Sequence, residues 1–226
     1  MIRRDYILRM IEEFTQLLAR LKSLKQEQRW EEVAGTLEEH FQRLVGTSAR
    51  AVAQLSETEL LAKLIQGEPT LAVREKILIL ASLLKEAGDV ATAQAKFDEG
   101  RACYLKGLHL LLEALARGDV YETPEFVPSV EVFVAALRDS PLPFQTQGLL
   151  MQHYERTGEF AKAEDALFAM LELESNNVAL LDFGISFYQR LQGQSDAALA
   201  EGNLPRAELE TARAELSDRK AALQPK

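Results

Sequence analysis

Residues 144–177 read FQTQGLLMQHYERTGEFAKAEDALFAMLELESNN, and this stretch decides the fold. Apolar side chains recur every three or four positions on both sides of Gly158, a spacing that predicts two amphipathic helices. These apolar positions are Leu149, Leu150, Tyr154, Phe160, Ala163, Leu167, Met170 and Leu171. Glycine accepts the left-handed backbone of a tight turn, so the two helices are predicted to form a hairpin with their apolar faces in contact.

The spacing within this hairpin resembles that of a tetratricopeptide repeat. The residues that carry the resemblance are Tyr154, Gly158, Phe160 and Ala163. They fill the places of a large apolar residue, the turn glycine, an aromatic and a small alanine, and the small alanine lets the two helices approach closely. The resemblance implies an all-α protein built as a tetratricopeptide-like stack of antiparallel helical hairpins.

The composition favours helices throughout the 226 residues. Hydrophobic residues make up 47% and charged residues 27%, which is ordinary for a folded globular protein. Leu, Ala and Glu are abundant and are strong helix formers, and no alternation of β-branched and polar residues indicates a strand. We therefore expect an all-α protein of about ten helices.

Charge and cysteine content limit the classes of function. The net charge of −9 and the pI near 5.0 argue against nonspecific nucleic-acid binding, which depends on neutralising phosphates. Cys103 is the single cysteine, so we expect a buried thiol, no intramolecular disulfide and a reducing compartment. No apolar run approaches about 18 residues and no secretory signal is recognisable, so we expect a cytoplasmic protein without a membrane span.

The first predicted helix, over residues 5–26, carries an apolar seam. Its positions are Ile7, Met10, Phe14, Leu17, Leu21 and Leu24. Two interpretations stay open: an intramolecular core helix, or a seam that joins two copies into a homodimer. Trp30 follows the next turn as Phe160 follows Gly158, and it is predicted to be a core residue of that hairpin rather than a ligand platform.

Other residues mark further helix ends. The sequence Ser56-Glu-Thr-Glu59 is typical of a capping box at the start of a helix. Gly88 is predicted to end a helix and to open a second tetratricopeptide-like hairpin. The core positions of that hairpin would be Leu84, Val90, Ala93 and Phe97. Gly202 is predicted to make the last turn, before a polar end-cap helix.

These patterns predict three regions. Residues 1–118 form an N-terminal helical region with one tetratricopeptide-like hairpin. Residues 119–143 form a connector with a short helix, bounded by prolines that interrupt helical structure. Residues 144–226 form the C-terminal tetratricopeptide-like hairpins and the end-cap helix.

The sequence contains no recognisable catalytic constellation. It lacks a phosphate-binding glycine loop followed by Lys and Ser or Thr, and it lacks a Gly-x-Ser-x-Gly elbow. The histidines are isolated: they are His40, His109 and His153. His109 and Glu113 would share a helix face, but a single His–Glu pair does not build a closed metal site. We therefore expect no catalytic residue, no metal and no cofactor.

A binding role follows from the tetratricopeptide resemblance, because the first helix of each hairpin in such stacks lines a groove that takes peptides. The resemblance places the peptide-groove positions at Leu78, Ser82, Lys85, Gly148, Gln152 and Glu155. Ser82 and Gln152 stand where a carboxylate clamp has asparagine, which argues against capture of a peptide C-terminus. The alternative is a groove filled by the chain's own long helices.

Residues 3–117 also resemble an uncharacterised bacterial family with tetratricopeptide-like helices. The resemblance rests on residues 5–12, on the turn at 29–32 and on the segment 83–89. It implies a bacterial protein and no particular activity. The leading hypothesis is a non-catalytic protein-interaction scaffold or adaptor in a bacterial cytoplasm. The alternatives are a small-molecule sensor or enzyme with a pocket near residues 118–143, and a homodimer that assembles through the N-terminal helix.

Overall fold

The structure, a computed structural model, describes residues 2–65, 70–116 and 123–223. Over these ranges it contains α-helices and no strand, so the expected all-α class is confirmed, with more helices than the expected ten. The helices are α1 (Ile2–Gln26), α2 (Trp30–Val45), α3 (Ala49–Gln54), α4 (Glu57–Ile65), α5 (Thr70–Ala93), α6 (Phe97–Ala116), α7 (Val130–Ala136), α8 (Phe144–Thr157), α9 (Phe160–Leu173), α10 (Val178–Leu191), α11 (Asp196–Glu201) and α12 (Arg206–Leu223).

The chain divides into two compact units, Met1–Pro141 and Leu142–Lys226. The first unit holds α1–α7 and the second holds α8–α12. The region boundary predicted at residue 118 lies outside the described residues. The short helix predicted for the connector is α7, which packs against α6 in the first unit. The three-region division stays a prediction.

The core of the first unit lies around α5 and α6, which pack side by side along their length. Helix α5 is apolar on several faces because α2 and α4 also pack against it, and a helix covered from several sides needs few polar positions. Its side chains Leu78, Leu80 and Leu84 are completely buried. Helix α6 adds Leu108 and Leu111 to the same core.

The seam of α1 packs within the first unit, against α2 and α5. Its buried positions are Phe14, Leu17, Leu21 and Leu24. The intramolecular interpretation of these four positions is therefore confirmed, while the homodimer stays a prediction. Trp30 begins α2 and is partly buried, and the carboxylates of Glu31 and Glu32 follow it in the first turn, where the helix dipole favours negative charge.

The prediction that Gly88 ends a helix is wrong. Helix α5 runs through Gly88 to Ala93, and the chain turns at residues 94–96, where Ala95 takes the left-handed conformation (φ 58°). Gly88 serves packing instead: a β-carbon built there would lie 2.5 Å from Cε1 of Tyr104 on α6. The hairpin of α5 and α6 therefore exists, but its turn comes after the predicted one.

The capping box at the start of α4 is confirmed. The Ser56 amide donates to Oε2 of Glu59 over 2.9 Å, and the Glu59 amide donates to Oγ of Ser56 over 3.3 Å. Both bonds satisfy amide groups that have no partner within the helix. The start of α4 is thus set by a local pattern of four residues.

The hairpin of the second unit forms as residues 144–177 predict. Gly158 separates α8 from α9 in the left-handed conformation (φ 81°), and the Glu159 amide donates to the Tyr154 carbonyl over 2.9 Å. The facing side chains are buried: Leu150, Tyr154, Phe160, Ala163, Leu167, Met170 and Leu171. This hairpin is the part of the fold that the sequence predicts best.

The remaining helices of the second unit are α10, α11 and α12, and α12 packs against α10 to form a second helix pair. The predicted turn at Gly202 is present, but Asn203 takes the left-handed conformation there (φ 55°) while Gly202 has φ −78°. The carbonyl of Gly202 accepts a hydrogen bond from the Ala161 amide over 2.9 Å, so this turn lies against the start of α9. Helix α12 buries one narrow face, formed by Leu209, Ala212 and Leu216.

Candidate functional site

The first-unit half of the predicted peptide groove is not open. Leu78 is 0% exposed and Ser82 is 1% exposed, and the Ser82 hydroxyl donates to the Leu78 carbonyl over 2.9 Å. Both residues lie inside the unit because α2 and α6 cover α5. The prediction that they line a groove is corrected: at these positions the chain's own helices fill the space, as the alternative expected.

Lys85 takes part in an ion-pair network within the first unit. Its Nζ lies 2.9 Å from Oδ2 of Asp89 and 3.1 Å from Oε1 of Glu86. Lys25 of α1 also pairs with Glu86 and with Asp89, and the Tyr104 hydroxyl of α6 donates to Oδ1 of Asp89 over 2.9 Å. The network thus ties α1, α5 and α6 together, so Lys85 has a structural role here.

The Asp89 carboxylate is the centre of this network. Burial acts to raise its pKa, but hydrogen bonds and charge from Lys25 and Lys85 outweigh that effect and lower it. The carboxylate therefore stays ionised at neutral pH. Because this ionised carboxylate already accepts several hydrogen bonds from neighbouring helices, it is better suited to holding the helices together than to acid–base catalysis.

The second-unit groove positions lie beside a cleft between α8 and α10. The cleft has a volume of about 370 Å³ and is lined by Gln152, Glu155, Arg156, Phe160, Arg190, Leu191 and Gln194. Phe160 and Leu191 are buried and form its apolar floor, while the others make a polar rim. Gly148 lies earlier on α8, next to Met170 of α9 and not among these lining residues.

A bidentate ion pair joins the two sides of this cleft. Nε of Arg190 donates to Oε1 of Glu155 over 2.7 Å, and the Nη2 of the same guanidinium donates to Oε2 over 2.7 Å. The hydrogen bonds with Glu155 raise the pKa of Arg190 above its ordinary value, against a smaller opposing effect of burial. Planar pairing of this kind holds both side chains in one orientation.

Arg190 is the cleft residue that sequence reasoning missed. It lies 35 positions after Glu155, and nothing local to either residue indicates the pairing. The available signal was its place in the last turn of a helix that follows the hairpin directly. Gln152 and Glu155 therefore do lie together in a cleft, but with a partner from α10.

Two of the residues considered for chemistry, Cys103 and His109, lie buried in α6. Cys103 is 4% exposed, as expected for a buried thiol, and burial raises its pKa to about 11, so the thiol is protonated at neutral pH. His109 is 6% exposed within α6. Across the described ranges, no three His, Cys, Asp or Glu side chains are grouped so that they would hold a metal ion. Nor does any helix of those ranges combine the length and apolar character needed to cross a membrane.

Comparison with known proteins places the chain in a family. The chain belongs to the DUF6483 family, a family of unknown function, whose model matches residues 1–220. The expectation of an uncharacterised family is confirmed, and the match extends well beyond residues 3–117. No curated protein and no solved structure matches the chain.

Proposed function

We propose that this protein is a non-catalytic protein-interaction scaffold, and that its second unit takes a peptide segment of a partner in the cleft between α8 and α10. The observation that carries the proposal is the Glu155–Arg190 ion pair, which links α8 and α10, the helices that open two consecutive helix pairs. In tetratricopeptide-like stacks these first helices line the groove that receives a peptide.

The spacing of the helices in the second unit supports a tetratricopeptide-like arrangement. Helices α8 and α10 each have 14 residues. Helix α10 begins 34 residues after α8 (178 − 144), and the tetratricopeptide period is about 34 residues. Helix α8 pairs with α9, and α10 pairs with α12 across the short helix α11, so two helix pairs follow one another along the chain.

The lining of the cleft suits a peptide with both apolar and charged side chains. Phe160 and Leu191 offer an apolar floor, and Gln152 and Gln194 offer amide donors and acceptors at the rim. Glu155 and Arg190 satisfy each other in the free protein, so a charged partner residue would exchange with one of them. Such an exchange favours specificity over high affinity. A bacterial cytoplasmic setting belongs to the same proposal.

Site-specific photo-crosslinking tests this function. A photoreactive amino acid replaces Gln152, which is exposed at the cleft, and in a matched control it replaces Asp165, an exposed residue of α9 that does not line the cleft. We expect a discrete protein adduct from position 152 in native lysate that is absent from position 165. Equal adducts at both positions, or none at position 152, would overturn the proposal.

A blocking variant completes the test. Gln152→Trp fills the cleft with a large side chain on an exposed position, so the fold tolerates it. Purified partner identified from the adduct is then titrated with the wild-type chain and with this variant. We expect loss of binding in Gln152→Trp with an unchanged unfolding transition, whereas unchanged binding would show that the partner lies elsewhere.

A further inference from the structure

The first unit has a cavity of its own, between α1, α2 and α5. Its volume is about 190 Å³. It is lined by Tyr6, Arg9, Met10, Glu13, Phe14, His40, Arg43, Leu44, Lys76, Ile79 and Leu83. The lining combines an apolar floor with a charged mouth.

The floor of this cavity is made by core residues. Phe14 of α1 is 4% exposed, and Ile79 and Leu83 of α5 are 4% and 1% exposed. Met10 and Leu44 are partly buried and extend the apolar surface toward the opening. A ligand with an apolar body would bury that body against these five side chains.

The mouth is cationic although the chain as a whole carries a net charge of −9. Each of the three helices contributes one permanent cation: Arg9 from α1, Arg43 from α2 and Lys76 from α5. Among the lining residues that the structure describes, Glu13 is the one acidic side chain. The excess of positive charge around an apolar floor favours an anion over a neutral or cationic ligand.

His40 adds a neutral polar group to this mouth. Burial is the main effect that lowers its pKa, and the charge of Arg43 lowers it further. The charge of Glu39 opposes them with a smaller effect, and Arg20 (lowering) and Glu13 (raising) contribute less. The imidazole is therefore largely neutral at pH 7, and each of its nitrogens serves as a donor or an acceptor. The cationic character of the mouth therefore rests on Arg9 and Arg43 and not on His40.

We infer that this cavity binds a small monocarboxylate, with the carboxylate at Arg9 and Arg43 and an aromatic ring or short aliphatic chain on the apolar floor. The size fits this class: an apolar cavity of about 150 Å³ holds benzene, so about 190 Å³ holds a ring with one carboxylate. The bound acid would bridge α1 to α2 and α5. This site is separate from the peptide cleft and goes beyond the proposed scaffold function.

Isothermal titration calorimetry of benzoate binding to the full chain tests the inference. Benzylamine is the matched control, because it has the same ring and the opposite charge. We expect saturable binding of benzoate with a dissociation constant on the order of 1 mM or lower, and no binding of benzylamine. No saturation by about 10 mM benzoate, or equal binding of benzylamine, would overturn the inference.

Variants locate the bound carboxylate. Arg43→Gln and Arg9→Gln each remove one cation from an exposed position, so folding is retained, and each is expected to weaken benzoate binding about tenfold. Arg138→Gln, which removes an exposed cation after α7, is the control and is expected to leave binding unchanged. Binding that is insensitive to Arg9→Gln and Arg43→Gln would show that the cavity is not the site.

Discussion

Gly88 of α5 lies directly beneath the ring of Tyr104 of α6: a β-carbon at residue 88 would meet Cε1, Cδ1 and Cζ of that ring at 2.5–2.8 Å. The two helices approach closely at this point because residue 88 has no side chain. The hydroxyl of the same tyrosine donates to Asp89, the next residue of α5. One glycine thus lets an aromatic ring reach an ion-pair network between helices.

Gly88→Ala is expected to destabilise the first unit. In an open helix interior, glycine to alanine stabilises by roughly 0.5–1 kcal/mol, but overpacking against a ring costs about 1–3 kcal/mol. We expect the free energy of unfolding to fall by about 1–2 kcal/mol. Trp30 is the only tryptophan and lies in the first unit, so its fluorescence in a urea titration reports this change.

Gly35→Ala is the matched control for that experiment. Gly35 lies within α2, and a β-carbon there meets nothing within 4 Å. This variant is expected to stabilise the unit by roughly 0.5–1 kcal/mol. A second check places Gly88→Ala in a Tyr104→Ala background, where the clash is gone. If Gly88→Ala still destabilises there, the ring contact is not the cause.

The turn predicted at Gly88 shows which features of this fold local sequence patterns do not determine. Gly158 and Gly88 have similar local surroundings, with an apolar residue on either side at helical spacing. Gly158 ends its helix, whereas Gly88 serves a contact with a residue 16 positions away. The actual turn places a left-handed alanine at residue 95, which no residue preference predicts. The capping box at Ser56 could be predicted from the sequence because its hydrogen-bonding partners lie within four residues of one another.

Asp89→Asn is expected to destabilise the first unit by about 1–3 kcal/mol at pH 7, because two lysines lose a carboxylate partner. The native pKa of Asp89 is lowered, so its contribution to stability is present above the unfolded pKa of about 3.9 and is lost as pH falls through the lower native pKa. The difference between wild type and variant should therefore shrink below about pH 4.

Urea titrations followed by Trp30 fluorescence over a pH series measure this difference. Asp139→Asn is the control, because the Asp139 side chain is 89% exposed, and it should change stability little. A wild-type to Asp89→Asn difference that is as large in acid as at pH 7 would contradict the assignment of an ionised Asp89 to the network.

Glu164→Gln is expected to stabilise the second unit at neutral pH. The Tyr188 hydroxyl donates to Oε1 of Glu164 over 2.5 Å, and an amide oxygen would still accept this bond. Burial is the main cause of the raised pKa of Glu164, partly opposed by the Tyr188 bond and increased by nearby acids such as Glu208. Protonation of Glu164 is therefore more favourable in the folded than in the unfolded state, so stability is lost as pH rises from the unfolded pKa of about 4.3 through the higher native pKa.

Thermal unfolding followed by circular dichroism at neutral and acidic pH tests whether Glu164→Gln raises stability and whether the effect depends on pH. Glu164→Gln should raise stability by less than about 1 kcal/mol at pH 7 and should have little effect below about pH 4. Glu172→Gln, on an exposed position of the same helix, is the control. Destabilisation by Glu164→Gln at pH 7 would mean that the carboxylate is needed in its ionised form.

The sequence predicts the residues of the candidate site on α8 only. Gln152 and Glu155 follow from the hairpin spacing around Gly158, which is local. Leu78 and Ser82 take the corresponding groove positions on α5, but α2 and α6 cover that face of the helix. This coverage depends on contacts between distant segments of the chain, which local spacing does not indicate. Arg190 completes the cleft from another helix, so its role required the three-dimensional arrangement.

Exchanging the charges of Glu155 and Arg190 distinguishes the effect of this ion pair on the stability of the second unit from its effect on binding of the partner in the cleft. Glu155→Arg and Arg190→Glu each place like charges together, and each is expected to destabilise the second unit by up to about 1 kcal/mol. The double variant restores an ion pair and should recover stability to within about 0.5 kcal/mol of wild type. Its cleft, however, presents reversed charges, so we expect crosslinking from position 152 to the wild-type partner to be lost.

The Asp182–Lys220 ion pair supplies the control, because it joins α10 and α12 over 2.5 Å outside the lining of the cleft. Asp182→Lys with Lys220→Asp should likewise recover stability, and this double variant should keep the crosslinked adduct. If the Glu155–Arg190 exchange also keeps the adduct, charge in the cleft does not select the partner, and recognition would rest on the apolar floor at Phe160 and Leu191 alone.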